Sequence, residues 1–172
     1  MSRAFVKSAD TSTSAVNSRG ELEKILLRYG CSGFGVSSDF NTFEIAVTFR
    51  VKDTPTKDAL EVPVRLKVEV KKVYEALYGR PMMGPNWKPV YDPKGYTGPR
   101  LAQAERVAWR HLVLWVDAAL SAAAAGMQPV SEAFFAHTLV RDDGGRVERM
   151  VDHLNRAAGG NWRALLTAGT GP

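Results

Sequence analysis

The chain has 172 residues, 45% of them hydrophobic, which is enough for one core with appendages. Its net charge of +5 favours a polyanionic partner only where the cations cluster. Cys31 is the sole cysteine, which excludes an internal disulfide and a zinc–thiolate cluster and suits a reducing cytoplasm, and no run approaches the ~20 apolar residues of a membrane-spanning helix.

Met1 to Asn17 are rich in Ser, Thr and Ala without a sustained period. The expectation is a flexible arm over 1–17, in which Phe5 and Val6 could anchor on another subunit. Ser18 with Glu21 three residues on has capping-box spacing. Leu22, Ile25, Leu26 and Tyr29 follow at helical intervals, and Gly30 stops the run. This predicts a helix over 19–29. Cys31 to Ser38 reads as a strand twisted or bulged at Gly33 and Gly35. Asp39 to Thr42 supplies turn chemistry.

From Phe43 to Lys72 two arms alternate at period two, the pattern of half-buried strands. Phe43, Ile45, Val47, Phe49 and Val51 share one face of the first arm. Val62, Val64, Leu66, Val68 and Val70 share one face of the second. The opposite faces carry Thr48, Arg50, Lys52, Arg65, Lys67 and Lys71 against Glu44 and Glu69. This predicts a hairpin with an oily face and a basic face. Thr54 to Asp58 forms the turn, and Pro63 marks an edge or a bulge. Val73 to Tyr78 has helical spacing.

The segment 79–99 is dense in Pro and Gly and forms no regular element. It also holds Trp87, Tyr91 and Tyr96 among Arg80, Lys88, Lys94 and Arg100. The rings either stack on a ligand or fasten the loop to the core. Leu101 to Ala125 then carries the longest helical stripe: Leu101, Ala104, Ala108, Leu112, Trp115, Ala119 and Ala123, broadened by Val107, Val116 and Leu120. Gly126 and Pro129 end it. Beyond lie a short helix over 132–137 capped by Ser131, an extended piece at Thr138–Val140, a turn at Asp142–Gly145, and a last helix over 147–158. The division is thus an arm at 1–17, a core at 18–126 and a helical region at 127–172.

Catalytic and cofactor motifs are not found. No Gly-Lys-Ser/Thr phosphate loop occurs, which argues against ATP-driven work. Gly33-Phe34-Gly35 follows a helix and enters a strand, the reverse of a dinucleotide fingerprint. His111, His137 and His153 lack metal-ligand spacing. No nucleophile–base–acid set emerges. A non-enzymatic protein without a cofactor is expected.

The order of elements now assembled is helix, three antiparallel strands, long loop, long helix. It resembles the core of the Rad52-like single-strand annealing proteins, which include phage recombinases. The matching parts are Glu21–Gly30, the strands within Cys31–Lys72, and Arg100–Gly126. The resemblance lies in element order and charge, with no diagnostic residue motif. It implies a β-β-β-α core, assembly into rings or helical filaments, and single-stranded DNA in a basic groove between hairpin and helix. Arg106 and Arg110 would then face the DNA. Double-stranded-RNA-binding domains run in the same order but carry a Lys cluster opening the last helix, which this chain lacks. Arg28-Tyr29-Gly30-Cys31 also resembles a strand entry of uncharacterised phage and prophage proteins, which implies a mobile-element origin.

The expected fold is therefore α+β: a three-stranded antiparallel sheet with helices on one face and a small helical C-terminal region. The expected function is ATP-independent binding and annealing of single-stranded DNA in homologous recombination, by a homo-oligomer that meets no membrane. The candidate binding residues are Arg50, Lys52, Arg65, Lys67, Lys71, Trp87, Lys88, Tyr91, Lys94, Tyr96, Arg100, Arg106 and Arg110. The alternative is a phage protein-interaction module that binds and inhibits a host protein.

Overall fold

The computed structural model describes residues 6–53, 61–78, 98–142 and 144–157. The fold is α+β. Helix α1 (Ala15–Arg28) leads into strands β1 (Ser32–Asp39), β2 (Glu44–Lys52) and β3 (Glu61–Glu69). These form an antiparallel sheet in the order β1-β2-β3. Helices α2 (Val70–Tyr78) and α3 (Pro99–Ala124) follow. The C-terminal part comprises α4 (Val130–Ala133), a 3-10 turn at Phe135–His137, a hairpin of β4 (Leu139–Arg141) and β5 (Val147–Arg149), and α5 (Met150–Ala157).

The first helix begins earlier than its sequence signal. Ser14, not Ser18, is the N-cap, and its hydroxyl accepts from the Asn17 N–H. Ser18 lies one turn inside and is fully buried. Its apparent capping partner Glu21 reaches across to α3 instead. The expected arm is accordingly shorter. Gln103 Nε2 donates to the carbonyls of Ala9 and Thr11, which ties this segment to α3. Phe5 lies outside the described residues. Two helices end in the same way. Gly30 and Gly126 both have positive φ. At each, the next N–H closes a six-to-one bond, Cys31 to Leu26 and Met127 to Ala122. That is the Schellman arrangement.

The hairpin register aligns the two oily faces. Val47 pairs with Leu66, Phe49 with Val64 and Val51 with Val62. These side chains form one buried cluster with Leu22 and Leu26 of α1, Leu77 of α2, and Val107, Leu112 and Val116 of α3. A helix layer thus covers one sheet face. Within α3 the core side is Ala104, Val107, Ala108, Leu112, Val116 and Leu120, joined by Trp109 and Val113. Trp115 falls on its flank.

Three elements depart from expectation. The alternation that reads as strand through Lys72 stops at Glu69, and Lys71 and Lys72 belong to α2. Val70 sits in two patterns at once: it ends the period-two run and opens the helical set Val70, Val73, Tyr74, Leu77. Its N–H still bonds the Phe43 carbonyl at 2.9 Å. Ser131 does not cap α4. Pro129 holds that position, and the Asp53 carboxylate accepts the Ser131 N–H at 2.9 Å. Val147 to Arg149 is a strand, and only Met150 onward is helical.

The C-terminal part closes on the core through aromatic edges. Phe134 is fully buried and meets Phe49 at 5.5 Å and Trp115 at 5.4 Å, both edge-to-face. An isolated bridge joins Val64 of β3 to Thr138. The outer edge of β3 is therefore partly occupied.

Candidate nucleic-acid interface

The sheet face opposite the helices is built by strand alternation. Cross-strand partners share a face. Ser37, Ala46 and Lys67 make one row; Gly35, Thr48 and Arg65 the next; Ser32, Arg50 and Pro63 a third. Lys52 and Glu61 close one end, and Asp39, Glu44 and Glu69 the other. Lys67, Arg65, Arg50 and Lys52 thus run as a band across the two long strands. The band spans ~20 Å at a rise of ~3.4 Å per residue.

Small residues of β1 let this band lie flat. Gly33 has φ +65°, and a Cβ there would meet the Arg50 guanidinium at 3.1 Å. At Gly35 a Cβ would stand 2.8 Å from Thr48 Oγ1. The register shift between Ser32 and Gly35 is the bulge that glycines permit.

The face is less basic than the hairpin sequence implies. Arg50, Lys52, Arg65 and Lys67 are matched by Asp39, Glu44, Glu61 and Glu69. The sequence reading weighed only Glu44 and Glu69. Lys67 Nζ lies 3.1 Å from Glu44 Oε1, and Arg50 Nε lies 3.7 Å from Glu61 Oε2. The Arg50–Glu61 pair is exposed and contributes little, about 0–1 kcal/mol, so a phosphate can displace it, whereas Lys67–Glu44 is half-buried. Arg65 differs: its Nε is buried and finds no hydrogen-bond partner among the described residues. Asp39, Glu44 and Glu69 stand at one end, and Glu61 shares the terminal row at the other with Lys52. Asp39 is held below the ordinary carboxylate range by the backbone N–H groups of Thr42 and Asn41.

The other predicted residues do not join this band. Lys71 sits on α2, its ammonium 5.1 Å from the Phe43 ring centre. Arg100, in the first turn of α3, lies over the Tyr78 ring at 5.4 Å. Arg106 donates through Nε and Nη2 to Gln103 Oε1. Arg110 pairs with Glu21 of α1. Arg106 and Arg110 thus serve contacts within the helix layer, across the sheet from Arg65 and Lys67. Trp87, Lys88, Tyr91, Lys94 and Tyr96 lie outside the described residues.

Two features escaped the sequence reading. One is a cleft beside β3 where His111 of α3 and His137 of the 3-10 turn come together with Trp115. No sequence spacing links these two histidines. The other is a polar network in the C-terminal hairpin. Arg156 Nη2 bonds Glu148 Oε1 at 2.5 Å and Asp142 Oδ2 at 3.0 Å, and His153 Nδ1 lies 3.1 Å from Glu148 Oε1. Arg156 holds Glu148 below the ordinary carboxylate range. Burial pushes the Cys31 thiol up to about 11, away from the thiolate form. Among the described residues no group of His, Cys, Asp and Glu could hold a metal ion, and no helix is long and apolar enough to cross a membrane. Comparison with protein-family models, curated proteins and solved structures returns no match.

Proposed function

We propose that this protein binds single-stranded DNA without ATP and anneals complementary strands, in homologous recombination of phage or mobile-element type. The observation that carries the reading is the central cation band, Lys67-Arg65-Arg50-Lys52, on the sheet face turned away from the helices. A single strand laid along it would neutralise its phosphates on these side chains, and the acidic end at Asp39, Glu44 and Glu69 would bound the site on one side. Backbone contacts hold without reading sequence. Bases left exposed could then pair with a second strand. Assembly of several copies would lengthen the track.

The test is fluorescence anisotropy of labelled single strands and duplexes at two salt concentrations, with annealing assayed without nucleotide and particle mass followed by light scattering. The reading requires salt-dependent preference for single strands, annealing, and a mass above the monomer. A strict monomer that still anneals would remove the assembly step alone. The parity of acids and cations on the face favours a second reading, a protein-interaction module that docks on a host protein. A monomer that neither binds nor anneals single strands would decide for it.

A further inference from the structure

The two edges of the sheet differ. The β3 edge carries Pro63 near its start and bridges Thr138 through Val64. β1 forms the other edge, and no described residue pairs along its outer side. From Gly35 to Asp39 its register with β2 is unbroken, so this stretch is regular. It reads Gly-Val-Ser-Ser-Asp, without the Lys, Pro or bulge that commonly keeps an edge from pairing. We infer that this edge pairs antiparallel with β1 of a second copy, which joins two three-stranded sheets into one. The inference names the interface for the assembly step proposed above and rests on that step.

Helix α1 selects a second copy of this chain over an unrelated strand. Its Glu21 and Arg28 turn toward α3, where Arg110 and Asp117 meet them. The other flank carries Val16, Arg19, Glu23 and Leu27 at helical spacing. Val16 is 79% exposed and Leu27 67%. Arg19 and Glu23 are exposed too, and neither has a partner among the described residues. A groove joins this flank to the strand: Glu23, Leu26 and Leu27 line it together with Ser32, Gly33 and Phe34. Leu27 thus stands beside Gly33, and the turn after α1 sends β1 back along the helix. At about 1.5 Å per residue of helix and about 3.4 Å per residue of strand, Leu27 back to Gly20 matches Gly33 on to Val36, about 10 Å each. The middle of α1 therefore stands level with Val36 and Ser37. A two-fold axis at Ser37 sets Arg19 of each copy opposite Glu23 of the other, and Val16 opposite Leu27. The flank is its own complement in charge and in apolar surface, as an isologous contact requires. The axis is perpendicular to the sheet, so both cation bands come to lie on one face and both helix layers on the other.

The experiment is sedimentation velocity of the full chain over a range of concentrations, without nucleic acid. A reversible dimer should form. Glu23→Arg and Arg19→Glu, made singly, each set like charges opposite one another twice. Each should raise the dimer dissociation constant about 10-fold or more. Combined, they exchange the signs and should restore the wild-type value. Leu27→Asp should dissociate the dimer by itself. All three positions are exposed, and circular dichroism checks that the variants fold. Hydrogen exchange gives a second readout: the amides of Gly35 to Asp39 should slow as the dimer forms. A chain that stays monomeric at every concentration overturns both this interface and the assembly step. A larger particle that ignores the single reversals, or that the double variant does not restore, overturns this interface and spares assembly. Failure of strand binding in a separate titration would overturn the nucleic-acid reading and leave the interface standing.

Discussion

Arg110 Nη1 lies 2.5 Å from Glu21 Oε2, and this pair ties α3 to α1. A second pair, Arg28 with Asp117, spans the same two helices. Arg110 is the better buried of the two arginines, so its charge is committed to the helix layer. Arg110→Gln should lower stability by about 0.5–1 kcal/mol, the upper range for a partly exposed pair. It should leave single-strand affinity within about twofold. A double-mutant cycle with Glu21→Gln, followed by urea denaturation, measures the coupling. A large loss of affinity in a well-folded Arg110→Gln protein would return this residue to the binding site.

On the outer face the sign of the charge change separates a binding track from a solvated surface. Lys67 and Arg50 are partly neutralised by Glu44 and Glu61. Arg65→Ala with Lys67→Ala should weaken binding and flatten the salt dependence by about one unit of slope per lost phosphate contact. Glu44→Gln should act in the opposite direction and tighten binding, since Lys67 no longer has a competing carboxylate. Titrations at several salt concentrations check both. Unchanged affinity and slope in both variants would leave the face as solvated surface.

The α+β class and the hairpin faces were legible because period-two alternation is strong from Phe43 to Val70. The glycine ends of α1 and α3 were legible for a similarly local reason: Gly30 and Gly126 adopt the conformation their residue type permits. What stayed hidden depends on distant contacts. Ser18 and Glu21 satisfy a local capping rule, yet Glu21 serves Arg110, eighty-nine positions away in sequence. Val70 fits strand and helix alike, and its place in the fold decides between them. Asp53 caps α4 across a similar gap, which no window of sequence could reveal. The cation band was read correctly as to Arg50, Lys52, Arg65 and Lys67 sharing a face. Its acidic neighbours needed the register, which brings Asp39 and Glu61 alongside.

Gly33 links backbone geometry to that band. Its φ is positive, and the Arg50 guanidinium lies where a side chain would begin. Gly33→Ala should therefore cost about 1–2 kcal/mol from the backbone alone. It should also lift Arg50 from β1 and shift its pairing with Glu61. Thermal denaturation measures the first effect, and single-strand titration at low salt the second. Gly20 is a control, since nothing lies within 4 Å of a Cβ there and its φ is ordinary. Gly20→Ala, within α1, should be neutral or mildly stabilising. Equal stability of the two variants would remove the role assigned to Gly33.

Acid should loosen the C-terminal part in two stages. Burial, with Arg149 adding to it, pushes the His137 imidazole below its ordinary value of 6.5. The folded chain then resists a proton that the unfolded chain accepts. Stability attached to His137 is present above about pH 6.5 and declines as pH falls below it. The carboxylates act lower on the scale. Arg156 holds Glu148 down, the Arg146 N–H holds Asp142 down, and Arg149 holds Asp152 down. Their ionised forms are favoured by the fold, so their contribution is present above the ordinary carboxylate range and is lost as pH falls through the depressed values. Urea denaturation at pH 7.5, 5.5 and 3.5 should show the midpoint falling at each step. His137→Gln removes the titrating group and should abolish the fall between pH 7.5 and 5.5 while keeping the one below it. If that variant loses as much stability between pH 7.5 and 5.5 as the wild type, the first stage belongs to another group and His137 is only a packing residue beside Trp115.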